Sequence, residues 1–127
     1  MKYVFLLNNA TEQWAEWHRL TPEQAQQRRE ETLPRWNALF EWLGEQGIDG
    51  DGLELADPAK ARVVRVRDGE TLLTDGPFLE TKEVLGGYYL IDVDTLDQAL
   101  EWAAKIPGAA HGTIEVRPVV TDYETVA

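Results

Sequence analysis

Arg62-Val63-Val64-Arg65-Val66-Arg67-Asp68-Gly69-Glu70-Thr71-Leu72-Leu73-Thr74 decides the fold. Two β-prone runs flank Asp68-Gly69, a two-residue loop that favours a type I′ hairpin because both of its central positions take positive φ. Upstream, Met1 to Leu7 is nearly all apolar, the pattern of a central strand covered on both faces. Trp14, Trp17 and His18 follow at helical spacing, in a short helix or an ordered loop. Thr21-Pro22-Glu23 then gives a cap with proline at the first helical position, and the helix runs toward Gly47. Pro34 predicts a kink or break there, with Leu33, Trp36, Phe40 and Leu43 as the buried stripe.

Downstream of the hairpin, Leu85 to Val93 reads as a strand covered on both faces. Thr95 and Gln98 make a capping-box pattern ahead of Leu96, Ala99, Leu100, Ala103 and Ile106, and Pro107-Gly108 closes that helix. Thr113 to Val119 is the last strand. The order βα, hairpin, βαβ predicts an α+β fold, a ferredoxin-like βαββαβ antiparallel sheet with helices on one face. The other face is then apolar and open, and a two-fold partner is the simplest cover, so a homodimer is expected. On the last strand Ile114 and Val116 point to one side and Thr113, Glu115 and Arg117 to the other, where the polar row can line a cavity between sheet and partner.

Composition sets the outer limits. A chain of 127 residues with 43% hydrophobic content fits one domain over 1–127 with one core. The N-terminal apolar run is too short for a signal peptide, and no run approaches membrane-spanning length, so a cytoplasmic protein is expected. With no cysteine there are no disulfides, thiolate nucleophiles or thiolate metal sites. The net charge of -11 repels phosphate backbones and anionic membranes, and the sequence carries no basic patch to offset it. No nucleic-acid or membrane partner is expected.

Candidate site residues cluster around Thr74-Asp75-Gly76-Pro77-Phe78-Leu79-Glu80-Thr81-Lys82-Glu83, which packs turn formers and titratable groups between two strands. Asp75 reads either as a turn cap or as a catalytic acid or base. His111, at the entry to the last strand, reads either as a structural hydrogen-bonding group or as a proton-exchanging group in a pocket. Lys82 and Glu83 are solvated, paired or in contact with ligand, and Tyr88 is a further substrate-binding candidate. Arg117 offers a planar guanidinium to a carboxylate, unless a strand neighbour such as Glu115 pairs with it. Trp14, Trp17 and His18 form a lid or merely pack. Gly86-Gly87 marks a bulge or a close approach of ligand.

Other chemistries fail on residue type. His18 and His111 are the only histidines and lie far apart, so no zinc site is expected. Asp49-Gly50-Asp51-Gly52 resembles the start of a calcium loop, but Leu53, Glu54 and Lys60 occupy the next ligand, glycine and final carboxylate positions. The chain has no serine, which with the lack of cysteine removes the usual covalent nucleophiles. No metal or cofactor is expected.

Asp75-Gly76-Pro77-Phe78, Leu85-Gly86-Gly87-Tyr88-Tyr89 and His111-Gly112-Thr113-Ile114-Glu115-Val116-Arg117-Pro118 together resemble the DGPF branch of the YCII-related family, from roughly Arg62 to Val120. The resemblance implies a dimeric α+β barrel of ferredoxin-like subunits, with Asp75 and His111 at recurrent positions of a branch that mostly lacks an assigned activity. Some YCII-like proteins outside the branch use a histidine near the start of the first long helix with an aspartate from the loop before the central strand. Between Pro22 and Gly47 this chain has no histidine and offers Arg28, Arg29 and Arg35, so that pair is not carried over. Two functions are expected of such a protein. One is binding of a small, possibly anionic molecule near the dimer interface, with Asp75 and His111 handling a proton and Arg117 anchoring the substrate. The alternative is a non-catalytic regulatory or interaction protein, since branch members are often encoded beside extracytoplasmic-function sigma factors.

Overall fold

The computed structural model describes residues 1–48, 50–76, 83–109 and 112–121. Its elements in chain order are β1 (Lys2–Ala10), α1 (Thr11–His18), α2 (Pro22–Glu45), β2 (Gly50–Glu54), a 3-10 turn (Pro58–Lys60), β3 (Arg62–Arg67), β4 (Glu70–Asp75), β5 (Glu83–Asp92), α3 (Leu96–Lys105) and β6 (Thr113–Pro118). Four strands form an antiparallel sheet in the order β2-β5-β1-β6, which is the ferredoxin-like arrangement within an α+β fold. The apolar run at the N-terminus becomes β1, which pairs on both sides and therefore has no free edge.

The hairpin forms where the sequence places it, with Asp68 at φ 51° and Gly69 at φ 77° as a type I′ turn requires. Its place in the topology differs from expectation. Among the described residues β3 and β4 pair only with each other, and β2 takes the sheet position the hairpin was expected to fill. This edge strand escaped the pattern because Gly-Asp-Gly-Leu-Glu has little β propensity. Its glycines have a packing reason. A Cβ on Gly52 would lie 2.3 Å from the Tyr88 carbonyl oxygen and 2.5 Å from Tyr89 Cδ2, and one on Gly50 would lie 2.6 Å from Tyr89 Cε1. The Tyr89 ring occupies the space of two side chains; burial, and then the Asp51 carboxylate, push its phenol above the ordinary value.

Gly52→Ala is accordingly expected to lower stability by about 1–3 kcal/mol through overpacking. Gly44→Ala, which meets nothing within 4 Å on α2, is the control and is expected to leave stability unchanged or raise it slightly. Urea denaturation of both variants checks this; equal midpoints would mean that β2 does not lie on Tyr89.

Both long helices start as their sequences dictate. The Thr21 and Thr95 hydroxyls accept from the amides of Gln24 and Gln98, and those glutamine side chains return the bond in reciprocal capping boxes. Of the kink or break expected at Pro34, the break does not occur, since α2 runs unbroken through it. The carbonyl that Pro34 cannot serve belongs to Glu30, an exposed residue whose backbone can turn to water. The buried stripe also sits differently. Leu39 and Leu43 are buried and Trp36 partly so, whereas Leu33 and Phe40 are exposed. Leu39 and Leu43 meet Ala99, Trp102, Ala103 and Ile106 from the α3 side and Tyr3, Phe5, Ile91 and Val93 from the sheet, in one core.

The expected bulge is present. Leu7 pairs with Gly87 and Asn8 with Leu85, so Gly86 is the extra residue. A Cβ on Gly86 would lie 2.4 Å from the Asn9 amide nitrogen, which explains glycine there.

Candidate functional site: the open sheet face and its bordering cleft

Period-2 alternation sends Tyr3, Phe5, Tyr89 and Ile91 into the core and their neighbours to the opposite face. On that face Leu6 stands between Tyr88 and Glu115, Val4 between Leu90 and Arg117, and Leu53 lies across from Tyr88. Past the bulge, Asn8 stands between Leu85 and Thr113, and Ala10 opposes Glu83. Among the described residues no helix covers this side. Tyr88, Leu85 and Leu53 remain exposed, Leu53 to 63%. The face is therefore an apolar centre bordered by a polar strip of Glu83, Thr113, Glu115 and Arg117.

Three of the four binding residues read from the sequence, Glu83, Tyr88 and Arg117, share this face. The Thr113 hydroxyl donates to Glu83 Oε1 at 2.5 Å. Arg117 Nη1 lies 4.0 Å from Glu115 Oε2, a loose contact between exposed groups that leaves most of the guanidinium to solvent. Lys82 lies outside the described residues.

Asp75 sits elsewhere, at the open end of the hairpin. Its Oδ1 accepts from Arg62 Nη1 at 2.6 Å, and the neighbouring Gly76 amide donates to the Ala61 carbonyl at 2.8 Å. Gly76 adopts φ 89°, the left-handed region the turn reading required. His111 and the segment 77–82 lie outside the described residues, and with them the geometry between Asp75 and His111.

A different histidine and aspartate do meet. His18, the last residue of α1, donates from Nε2 to Oδ2 of Asp57. Asp57 caps the 3-10 turn, its Oδ1 accepting from the Ala59 amide at 2.9 Å. That backbone bond first, and the His18 bond second, hold the Asp57 carboxyl below its ordinary value. An ionised carboxylate can only accept, so in the neutral imidazole the proton sits on Nε2 and Nδ1 is left as the acceptor. The His18 side chain is 49% exposed and that of Asp57 27%, so a solute can reach the pair. Asp57 also lines a cleft of about 370 Å³ with Leu55, Lys60, Val84 and Leu85. Leu85 belongs to the cleft and to the open face, and so joins them.

Local pattern gives His18 a place in a lid or a packed segment and gives Asp57 no site role. The local signal existed, since aspartate directly before proline is a capping pattern. What no local pattern carries is that Asp57 meets a side chain 39 residues away. Trp14, one helical turn before His18 with ring centroids 6.4 Å apart, is half-buried, and its indole nitrogen is buried without a partner among the described residues.

Among the described residues there is no group of three or more metal-ligating side chains, and no helix is long and apolar enough to cross a membrane.

An uncharacterised protein of Rhizobium meliloti (strain 1021) is 44% identical over 77 residues, a match that spans 59% of this chain and 62% of that protein's length. The sequence profile of the YCII-related domain matches residues 1–121, and the chain belongs to the YCII-related family.

Proposed function

We propose that this protein is a homodimer of the DGPF type that binds a small, anion-bearing molecule at the border of the sheet's open face, with His18 and Asp57 handling a proton there. The observation that carries the reading is the His18–Asp57 pair, accessible to solute at a cleft whose Leu85 wall continues onto the open face. Histidine oriented by a carboxylate is a general acid-base arrangement. Lys60 at the cleft and Arg117 on the polar strip supply positive charge for an anion, while Leu55, Val84 and Leu85 supply apolar contact. A second copy over Leu6, Leu53, Tyr88 and Leu90 turns the open face into an enclosed cavity. The cytoplasm suits such a chain, which carries no cysteine.

A thermal-shift screen of a broad metabolite library tests this, repeated for each hit on His18→Gln, Asp57→Asn, Asp75→Asn and His111→Gln. A ligand at about a hundred times its Kd stabilises the wild type by about 2.7 kcal/mol. That stabilisation is expected to vanish in folded His18→Gln and Asp57→Asn and to persist in Asp75→Asn. Loss in Asp75→Asn and His111→Gln instead would move the proton-handling site to the DGPF signature residues.

The second reading, a non-catalytic regulatory or interaction protein associated with an extracytoplasmic-function sigma factor, is favoured by the hairpin. Val64, Val66, Leu72 and Leu73 are 45–70% exposed on two strands that pair only with each other. Such a ribbon is marginal in water and gains from a partner. Absence of any hit that responds to the four substitutions favours this reading.

A further inference from the structure

A second cleft, of about 460 Å³, opens on the helical side of the molecule, between the C-terminal half of α2 and the end of α3. Leu39, Trp42 and Ile106 give it an apolar, aromatic floor, and Ala38 and Ala104 keep it open because their side chains are short. Two cations stand on it, Arg35 from α2 and Lys105 from α3.

Those cations have an option they do not take. Each follows a glutamate by four residues on its own helix, Glu31 before Arg35 and Glu101 before Lys105, the spacing and direction that favour a helical ion pair. Neither pair forms, and among the described residues no carboxylate lies within 4 Å of either cation. Lys105 Nζ instead lies over the Trp42 ring, 4.6 Å from its centroid. In a chain with 23 acidic and 12 basic residues, two cations without carboxylate partners converging on one aromatic cleft form a local reversal of sign. Partial enclosure by apolar walls strengthens their attraction for an anion relative to open water.

We propose that this cleft is a binding site for a small planar aromatic carboxylate, its ring against Trp42 and Ile106 and its carboxylate between the Arg35 guanidinium and the Lys105 ammonium. The guanidinium fork matches a carboxylate, and the ammonium adds a point charge. The net charge of -11 acts against polyanions, so a single carboxylate suits the site better than a phosphate-rich ligand.

The test uses 1-naphthoate, with 1-naphthalenemethanol as its neutral counterpart, and follows the tryptophan indole N–H signals by NMR, with Trp42→Phe assigning the signal. Naphthoate is expected to shift the Trp42 signal saturably, and the alcohol to bind more weakly. Arg35→Gln and Lys105→Gln should each weaken naphthoate by about tenfold, the loss of one charged hydrogen bond. Arg28→Gln, on α2 but outside the cleft, and His18→Gln, at the other site, should leave it unchanged. Lys105→Gln also removes a contact to Trp42, so Arg35→Gln, which has no described hydrogen bond, ion pair or ring contact to lose, keeps the test decisive. No saturable shift, equal binding of acid and alcohol, an unchanged Kd in Arg35→Gln, or shifts at other indoles alone would overturn the proposal.

Discussion

Phe5→Ala is expected to lower the free energy of unfolding by about 3–5 kcal/mol. Phe5 lies at the middle of β1, which pairs on both sides, and its side chain is 1% exposed between the sheet and both long helices. Truncation removes transfer free energy and leaves a cavity that a doubly paired strand cannot move to fill. Since a domain of this size holds about 5–15 kcal/mol in total, the variant sits close to the threshold of folding. Val64→Ala removes a side chain that is 60% exposed on the hairpin and is expected to change stability by no more than about 0.5 kcal/mol. Urea titrations of the two variants check the contrast. Equal effects would mean that the core is not centred on β1.

Leu53→Asp is expected to weaken self-association by at least about a hundredfold. Leu53 projects from β2 onto the open face, opposite Tyr88, and is 63% exposed. A carboxylate there is solvated in the separated chain and costs it little. In a two-fold assembly across the open face it is desolvated twice, and it adds to Glu83, Glu115 and Asp51 on the same surface. Light scattering on the eluting protein gives the change in dissociation constant, and the thermal midpoint of the dilute variant shows whether the chain itself is intact. An unchanged dissociation constant would place the contact between copies elsewhere.

The parts of this fold that sequence discloses are those written in local chemistry. Asp68-Gly69 specifies its turn, Thr21-Gln24 and Thr95-Gln98 specify their caps, and the alternation along β6 sends Thr113, Glu115 and Arg117 to one face. Gly86 announced its bulge by being a glycine at the head of a strand. What stayed hidden depends on distant neighbours. β2 exists because β5 offers it an edge and the Tyr89 ring fills the space of its missing side chains, neither of which its own glycine-rich sequence records. Pro34 frees the Glu30 carbonyl, which is exposed and can turn to water, so the local cost does not end the helix. His18 and Asp57 carry a site reading only as a pair, and their pairing is a product of the whole fold. The polar strip was legible, and the carboxylate that orients His18 was not.

The homodimer closed across the open face is the claim on which the enclosed site depends, and sedimentation equilibrium of the wild-type chain over a wide concentration range tests it most directly. The expected result is a species of twice the 14.4 kDa chain mass that persists into the low-micromolar range and loosens in Leu53→Asp. A single-chain mass at every concentration would contradict it, leaving Leu6, Leu53, Tyr88 and Leu90 as an apolar face without the second copy.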